Sequence, residues 1–203
     1  GDSLNQMRLV YNNNIYLNDK DLVKINKTKK LCFSNKKAIF ENGLKLTIDL
    51  SNDKTICAYR SKINAPLVYF SKNKYHKHKK YWEPIKPKNK SLIIKKNNFY
   101  ILKSKEKICI PPNLAGEMIP YDTGIGDFRV HYAGFFDPGF GYSMGSFAVL
   151  ELKTHEVDFI IEDGQTIARI QYEKLNKSSS MLYGKKINSN YQNQQLALSK
   201  HFY

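Results

Sequence analysis

A single glutamate interrupts the most apolar strand-like stretch of the chain. Glu151 stands between Leu150 and Leu152, after the apolar residues 147–149. If both faces of this segment are covered, the carboxyl group is buried and becomes a candidate general base. If Ala148, Leu150 and Leu152 form the only inner face, Glu151 is solvated and chemically inert. The periodicity by itself favours neither interpretation.

The densest run of turn-forming and aromatic residues lies just before this strand, at residues 131–141. Within it, Asp137-Pro138-Gly139 has the composition of a tight turn, because proline presets φ and glycine tolerates positive φ. Such a turn would hold the Asp137 carboxylate at a fixed place beside a strand end. The same residues also suit a hairpin that has no chemical role.

The histidines and cysteines do not form a recognisable metal or redox motif. His76 and His78 are two residues apart with no third ligand near them, so a solvated loop is favoured over a metal site. His131 and His155 are isolated, and the cysteines are odd in number without C-x-x-C spacing. These cysteines are Cys32, Cys57 and Cys109. Neither a disulfide framework nor a zinc knuckle is indicated, and a reducing cytoplasm is the expected location.

The formal net charge of +15 is unevenly distributed along the chain. Thirteen lysines and two glutamates lie between Lys72 and Lys107, a net of +11. From Ile108 to Glu173, three basic residues face ten acidic ones, a net of −7. Only four of the 33 basic residues are arginines, the side chain best suited to reading bases. A solvated lysine-rich face is therefore favoured over a nucleic-acid interface.

The elements that would position these residues are mostly short strands. Strict alternation over Leu44–Leu50 predicts a half-buried strand, which Thr55–Arg60 continues after a turn. One short helix is predicted, with Asn18 as its N-cap. A loop is expected over the lysine-rich run, with Trp82-Glu83-Pro84 docked on the core. Further strands are predicted at Leu92–Lys95, Phe99–Lys103, Ala148–Leu152, Val157–Ile161 and Thr166–Tyr172.

Many short strands separated by turns argue for an all-β sandwich, barrel or jelly roll. The 41% content of hydrophobic residues supports a sizeable core, and no stretch approaches the roughly 20 apolar residues of a membrane span. The last twenty residues, from Tyr183, are polar and predict either a frayed tail or a lid that becomes ordered on binding.

Three segments are specific enough to indicate a family. They are Ala133-Gly-Phe-Phe-Asp-Pro-Gly-Phe140, Ala148-Val-Leu-Glu-Leu152 and Glu162-Asp-Gly-Gln-Thr-Ile-Ala-Arg-Ile170. Together they resemble the dCTP deaminase branch of the trimeric dUTPase superfamily, and Tyr183 with Tyr191-Gln-Asn-Gln-Gln195 resembles that family's C-terminal lid. From about Leu44 to Phe202, the chain is still more similar to the C-terminal half of the two-domain dCTP deaminases of alphaproteobacteria.

The resemblance implies a hydrolytic site centred on Glu151. In this family the glutamate takes a proton from water, the hydroxide adds to C4 of the cytosine, and ammonia leaves. The backbone carbonyl of Ala133 would help to hold that water. The implied substrate-binding residues are Asp137 at the deoxyribose, Val149 and Leu150 at the base edge, Tyr183 and Gln194 in the tail, and Asn190 where the family has a phosphate-contacting lysine.

One family segment is absent from the chain. The family's S-S-x-x-R, whose side chains contact base, water and phosphates, is replaced by Pro120-Tyr-Asp-Thr-Gly-Ile-Gly-Asp-Phe128. Arg129 lies too near Ala133 to be a simple substitute. In the two-domain relatives the N-terminal half carries this segment. The chain is therefore expected to be a C-terminal half whose complete site needs the N-terminal domain of the same polypeptide.

The resemblance implies a distorted β jelly roll, or β-clip of the dUTPase-like type, with few short helices and homotrimeric assembly. We expect an N-terminal extension with the helix at 1–43, the β domain at 44–182 with a lysine-rich insertion or loop region at 72–107, and a C-terminal lid at 183–203. The implied activity is deamination of dCTP to dUTP and ammonia in pyrimidine deoxynucleotide biosynthesis. No cofactor is expected for the chemistry, Mg²⁺ would enter only with the triphosphate, and dTTP is the expected regulator.

Other functions are kept as alternatives. The first is a non-catalytic C-terminal half that serves assembly or nucleotide sensing, which the missing S-S-x-x-R segment favours. Hydrolysis of dUTP to the monophosphate is disfavoured, because Val149-Leu150-Glu151 occupies the place of that enzyme's uracil-binding hairpin. A nucleic-acid binder is the weakest alternative, and neither a nucleic acid nor a membrane is an expected partner.

Overall fold

The fold is built almost entirely from strands. The computed structural model describes residues 16–34, 37–120, 128–130, 134–184, 192 and 195–203, with the backbone alone at 128–130. Helix α1 spans Asp19–Lys29, and a short 3-10 turn spans His78–Lys80. The strands are β1 (Cys32–Phe33), β2 (Leu44–Thr47), β3 (Ala58–Ser61), β4 (Trp82–Ile85), β5 (Ser91–Ile94), β6 (Phe99–Ile108), β7 (Leu114–Pro120), β8 (Phe128–Val130), β9 (Phe135–Phe136), β10 (Ser146–Thr154), β11 (Phe159–Glu162) and β12 (Thr166–Lys174).

These strands form three antiparallel sheets. The largest has the order β4-β3-β6-β10-β8, and β1 also pairs with β6. A second sheet has the order β2-β12-β7-β9, and β5 pairs with β11 in a two-stranded third. Most neighbours within a sheet are far apart in sequence, so the sheets depend on long-range pairing. The all-β class with few helices that the sequence predicts is confirmed.

The core lies between the two larger sheets. On β10 every second residue is buried, and Ala148, Leu150 and Leu152 are fully shielded from solvent. On β12 of the second sheet, Ile170 and Tyr172 are fully buried as well. These side chains belong to one continuous hydrophobic cluster. Burial on this scale is the main stabilising contribution to such a domain.

Helix α1 begins where its capping residues predict. The Asn18 side chain accepts a hydrogen bond from the Asp21 backbone N–H at 3.0 Å, which satisfies one of the free amides of the first turn. Acidic residues in the first turn and lysines in the last complement the helix dipole. Leu22 is fully buried and fixes the helix to the core. No helix in the described residues has the length and apolarity that a membrane crossing needs.

The alternation at Leu44–Leu50 predicts correctly which side chains are buried. All four apolar side chains of this segment are fully shielded from solvent. The regular strand β2 is shorter than predicted and ends at Thr47. The next segment does not continue β2. It begins at Ala58 and pairs with β4 and β6 in the other large sheet.

Three parts of the lysine-rich region are strands: β4, which was expected to be loop, and β5 and the start of β6, which were predicted as strands. Trp82–Ile85, expected to be a loop docked on the core, forms β4 at the edge of the large sheet, where Pro84 removes no interior ladder bond. The far end of the region belongs to β6, a central strand that continues to Ile108. Lys103 and Lys105 of β6 form ion pairs with Asp49 and Asp163, which explains how a lysine-rich strand is accommodated in the body.

The end of the described chain is anchored rather than frayed. The backbone N–H groups of Tyr75 and His76 donate to the carbonyl of His201, and Tyr203 donates to the carbonyl of His76 at 3.0 Å. Phe202 forms a parallel bridge with His76. Residues 199–203 therefore pack against the start of the lysine-rich region, and the expectation of a frayed tail is wrong for them.

Candidate functional site

Glu151 lies near the middle of β10, on the face opposite the core. Its Cα partner across the sheet is Ile101 of β6, while its chain neighbours Leu150 and Leu152 point into the core with no exposed area. The Glu151 side chain is half-buried. The structure thus lies between the two interpretations left open by the sequence, because the outer face is partly covered. A half-buried carboxylate can contact a ligand and is still partly shielded from bulk water.

Aromatic side chains cover part of this outer face. Phe99 is the Cα partner of Lys153, which lies two residues from Glu151 and therefore on the same face. The Trp82 ring centroid is 6.1 Å from that of Phe99 and 6.0 Å from that of Phe202. The anchored end of the chain thus reaches the sheet face that carries Glu151. This cover helps to leave Ile101 only 7% exposed.

Lysines lie on the same face of the sheet as Glu151. Lys103 and Lys107 of β6 are the Cα partners of Val149 and Phe147, and their Nζ atoms lie 4.4 and 5.1 Å from the Phe147 ring centroid. The Lys103 Nζ also lies 3.1 Å from an Asp49 carboxylate oxygen. Burial opposes ionisation of Asp49, but hydrogen bonds from Ser51 and Lys103 outweigh it and lower the pKa of that carboxyl. Lysines therefore share this face with Glu151, and one of them, Lys103, is paired with Asp49.

The predicted turn at Asp137-Pro138-Gly139 forms and continues to Gly145. We call residues 137–145 the glycine turn. The Phe140 N–H donates to the Asp137 carbonyl at 3.1 Å, and the Gly139 N–H donates to the Ile110 carbonyl at 2.9 Å. Gly139 and Gly141 have φ values of 101° and 61°, which only glycine adopts without strain. The Asp137 side chain is exposed and available to a ligand.

Two tail residues dock on the glycine turn. The Tyr183 N–H donates to the Pro138 carbonyl at 2.9 Å, and the Tyr183 ring centroid lies 5.8 Å from that of Phe140. The Gln192 side chain accepts from the Gly141 N–H at 3.1 Å and donates to the Gly139 carbonyl at 3.3 Å. The sequence analysis did not assign Gln192 to the site. Its signal was an amide side chain, able to donate and accept at once, in a tail that resembles the family's lid.

The structure brings Asp137 and Tyr183 together but places Glu151 elsewhere. A Cβ built on Gly141 would lie 2.7 Å from the Ser146 backbone nitrogen, so the glycine turn adjoins the start of β10. Glu151 is five residues further along that strand, which corresponds to roughly 17 Å at the rise of an extended chain. Within one chain, the carboxylate and the docked tail therefore belong to separate places.

The other predicted site residues either lie on β10 beside Glu151 or lie outside the described residues. Val149 is half-buried on the face of Glu151, whereas Leu150 points into the core, so its side chain is not available to a ligand on that face. Ala133, Asn190 and Gln194 lie outside the described residues.

The described residues give little support for a metal site or a reactive thiol. In that part of the chain, no group of three or more His, Cys, Asp or Glu could hold a metal ion. The three cysteines are free and buried. Burial raises the pKa of Cys32 to about 12 and that of Cys57 and Cys109 to about 11, so these thiols stay protonated and weakly nucleophilic at neutral pH.

Three cavities formed by described residues have volumes of about 520, 410 and 660 Å³. Neither Glu151 nor Asp137 lines any of them. These three cavities are therefore separate from Glu151 and Asp137.

Comparison with known proteins identifies the family. The family model for the C-terminal domain of 2′-deoxycytidine 5′-triphosphate deaminase (DCD) matches residues 18–202. No curated protein matches the chain. A crystal structure of 2′-deoxycytidine 5′-triphosphate deaminase from Agrobacterium tumefaciens is 40% identical, with a TM-score of 0.73, over 82% of this chain and 50% of that one. The chain thus spans half the length of that relative. Since the match covers most of this sequence, the chain belongs to the dCTP deaminase family and corresponds to its C-terminal domain.

Proposed function

We propose that this chain is one half of a dCTP deaminase and that Glu151 is its catalytic carboxylate. The observation that carries the proposal is the position of Glu151 in the family-matched domain. It is half-buried on the outer face of an interior strand, between the buried apolar residues Leu150 and Leu152. A carboxylate held on rigid β structure meets the geometric demand on a general base. The implied reaction converts dCTP and water to dUTP and ammonia.

The proposed mechanism needs one carboxyl group and one water. Glu151 accepts a proton from the water, and the resulting hydroxide adds to C4 of the cytosine. Addition breaks the C4=N3 double bond, and N3 receives the proton that Glu151 took from the water. The carboxylate then moves the hydroxyl proton of the intermediate to the exocyclic nitrogen, the C4–N bond breaks, and ammonia leaves while the C4 carbonyl forms. No external oxidant, reductant or cofactor enters this balance, and Mg²⁺ would accompany only the triphosphate.

The separation of Glu151 from the glycine turn supports a site shared between chains. Tyr183 is hydrogen-bonded to the glycine turn that carries Asp137. This turn adjoins the start of β10, and Glu151 lies five residues, or roughly 17 Å, further along that strand. One nucleotide base and sugar could not contact all three residues in one chain. We propose that the glycine turn and tail of one subunit close over Glu151 of another in a homotrimer. The position of the exposed Asp137 suits a contact with the deoxyribose.

The lysines beside Glu151 support binding of a polyanion at this face. Lys103, Lys107 and Lys153 share the outer face with the carboxylate. Lys107 and Lys153 are a proposed source of positive charge for the triphosphate, whereas Lys103 is already paired with Asp49. The net charge of the whole chain is less informative than this local arrangement.

The test is ammonia release from dCTP by this chain, alone and mixed with the missing half of the polypeptide. We expect Glu151→Gln to lower turnover by at least about 100-fold, as removal of a general base does, while binding of dCTP is retained. Glu156→Gln, on the exposed turn after β10, is the matched control and should leave turnover unchanged. Full activity in Glu151→Gln would overturn the catalytic assignment.

A second candidate is a non-catalytic half that binds nucleotide or supports assembly. The observation that favours it is the segment 120–128, which lacks the family's S-S-x-x-R residues. Under this alternative, dCTP binds but ammonia is not released by any combination of the two halves. The same experiment therefore separates the two candidates.

A further inference from the structure

The cavity of about 520 Å³ lies away from Glu151, between the start of the lysine-rich region and the end of the chain. We call it the tyrosine cavity. The lining residues that matter here are Tyr69, Tyr75, His76, Lys77, Lys80 and Tyr81. None of them belongs to the proposed deaminase site. The lining combines aromatic rings with ammonium groups and contains no carboxylate side chain.

A hydrogen-bonded histidine makes one wall of this cavity rigid. His76 is only 4% exposed, and its Nε2 accepts from the Tyr69 N–H at 3.0 Å. The Tyr81 hydroxyl donates its single hydrogen to the Leu67 carbonyl at 3.2 Å, so the His76 Nδ1, at 2.8 Å, donates to the hydroxyl oxygen. Both ring nitrogens are thereby satisfied, with the tautomer assigned from this network. His76 is a structural support, and the ligand-binding groups must be the others.

The tyrosine rings offer exposed surface for stacking. Tyr69 and Tyr75 are 57% and 51% exposed. The Tyr69 ring is stacked on His76, with a centroid distance of 5.9 Å and an interplanar angle of 10°, so its orientation is fixed. Leu67 and Phe70, on the same segment, are 83% and 73% exposed. Apolar and aromatic exposure concentrated in this way is typical of a binding site.

The positive charge at the cavity is not neutralised by the protein. The ion pairs between described residues involve Lys45, Arg60, Lys95, Lys103 and Lys105, and none includes Lys77 or Lys80. The sequence has no acidic residue between Asp53 and Glu83, and Glu83 is held by Arg60 at 2.6 Å. The lysine that faces the rings is Lys72, whose Nζ lies 5.7 Å from the Tyr69 ring centroid and 4.2 Å from that of Tyr75. Ammonium groups without a carboxylate partner among the described residues are suited to an anionic ligand.

Another lysine-lined cavity differs in this respect. Lys45 and Lys105 line the cavity of about 410 Å³, where their ammonium groups form ion pairs with Glu41 and Asp163. Those lysines are already neutralised and stabilise the fold. The contrast identifies the tyrosine cavity as the better anion site of the two.

We infer that the tyrosine cavity binds a nucleoside 5′-phosphate at a second site distinct from the deaminase site. The base stacks on Tyr69 or Tyr75, and the phosphates reach Lys77 and Lys80. An open cavity of this volume is within the range of small-molecule sites, whereas a nucleic-acid strand needs a groove spanning several nucleotides. Because Tyr203 also lines the cavity and bonds to His76, the ligand would contact the anchored end of the chain.

The first test locates the site directly. The 203-residue chain is irradiated with 5-iodo-dUTP, whose iodinated base cross-links to stacked aromatic side chains, and the adducts are mapped by mass spectrometry. We expect an adduct on the peptide that carries Tyr69 and Tyr75, competed away by unlabelled dUTP. Adducts confined to other peptides, such as the one with Tyr183, would overturn the inference.

The second test measures affinity by titration calorimetry with dUTP. We expect the double variant Lys77→Ala, Lys80→Ala to bind dUTP in the tyrosine cavity at least tenfold more weakly. Inorganic tripolyphosphate should bind more weakly than dUTP, because it has no base. Lys86→Ala with Lys88→Ala removes the same charge from exposed positions outside the cavity and should change the affinity less than twofold. Equal losses in both double variants would mean unspecific charge attraction and would overturn the site.

Two further measurements distinguish this second site from the deaminase site and from a nucleic-acid site. Glu151→Gln should leave the cross-link at Tyr69 and Tyr75 unchanged, so the second site can fail or succeed independently of the deaminase proposal. A 12-residue oligothymidine that binds far more tightly than dUTP through Lys77 and Lys80 would make a nucleic acid the occupant and would contradict the mononucleotide. Lys77 and Lys80 are exposed, so their variants should fold, and thermal unfolding checks this.

Discussion

Strand β10 and the glycine turn are held in place by different kinds of contact. The burial pattern of β10 follows from the alternation in its own sequence. Every second residue is in the core, and Glu151 is on the other face. The glycine turn is held by distant segments: Ile110 bonds to its backbone on one side, and Tyr183 and Gln192 bond to it from the tail. The strand is therefore specified locally, whereas the turn depends on long-range contacts.

The proposed chemistry is divided in the same way. The reacting carboxylate is placed on the rigid strand, and the groups proposed to bind sugar and close over the nucleotide are placed on the turn and tail. Rigid elements position reacting groups accurately, while loops and tails can open and close around a ligand. Substitutions in the turn should therefore affect stability and closure, and those on β10 should affect stability or chemistry according to their face.

The largest effect is expected for Gly141→Ala. The φ of Gly141 is positive, and a Cβ there would lie 2.1 Å from the Ile108 carbonyl oxygen, so backbone would have to move. We expect a loss of about 4 kcal/mol or more in the free energy of unfolding, measured in urea. Gly164→Ala is the matched control: its φ is also positive, but nothing lies within 4 Å of a Cβ. It should cost only about 1–2 kcal/mol, and equal losses would show that the close approach at Gly141 is unimportant.

The next effect compares the two faces of β10. Leu150 is fully buried, so Leu150→Ala should lower the free energy of unfolding by about 3 kcal/mol through lost burial and a residual cavity. Val149→Ala, on the half-buried face of Glu151, should cost about 1 kcal/mol or less. Chemical denaturation of both variants measures this difference. A cost for Val149→Ala as large as that for Leu150→Ala would mean that the outer face is also core.

Alkaline pH should weaken the region beneath the glycine turn. Burial raises the pKa of the Cys109 thiol to about 11, although a backbone hydrogen bond from Ser143 lowers it, and burial raises the pKa of Tyr172 well above its ordinary value. Since the folded pKa exceeds the unfolded one, the stabilisation is complete below pH 9 and is lost as the pH rises above it. Each thiol should lower the free energy of unfolding by about 1 kcal/mol between pH 8 and pH 10. Cys109→Ala should reduce this pH dependence, and an unchanged slope would contradict the assignment.

The smallest effect is expected for Gln192→Ala. This change removes the two hydrogen bonds between the tail and the turn, which should weaken the local structure by about 1 kcal/mol. The Gly141 amide should then exchange with solvent about fivefold faster, as measured by hydrogen exchange. Gln195→Ala, at an exposed tail position, should leave that rate unchanged. Identical exchange in the Gln192 variant would show that the tail does not hold the turn.

Several elements could be predicted from the sequence because their signals are local. The cap at Asn18, the alternation from Leu44 and the apolar strand around Glu151 each specify an element through neighbouring residues, and each forms. Trp82–Ile85 was missed because a proline and many lysines argue against a strand. Its pairing at the edge of the large sheet depends on β3, a partner more than twenty residues away.

The candidate site could be predicted only in part for the same reason. The turn at Asp137 and the strand that carries Glu151, the proposed catalytic residue, were recognisable as segments, and the family they indicate is confirmed. The role of Gln192 and the anchoring of residues 199–203 depend on contacts with the glycine turn and with His76. Neither contact leaves a periodic signal in the sequence.

The sequence by itself determined the all-β class, the alternation that turns Leu150 inward, and the family. Only the tertiary structure decided that Glu151 is half-buried, that the glycine turn holds Tyr183 and Gln192 away from it, and that the rings and lysines of residues 69–81 line a cavity. The physical reason is that periodicity and turn composition act between neighbouring residues. Burial of a face, spacing between strands and neutralisation of charge are set by segments that meet only when the chain folds.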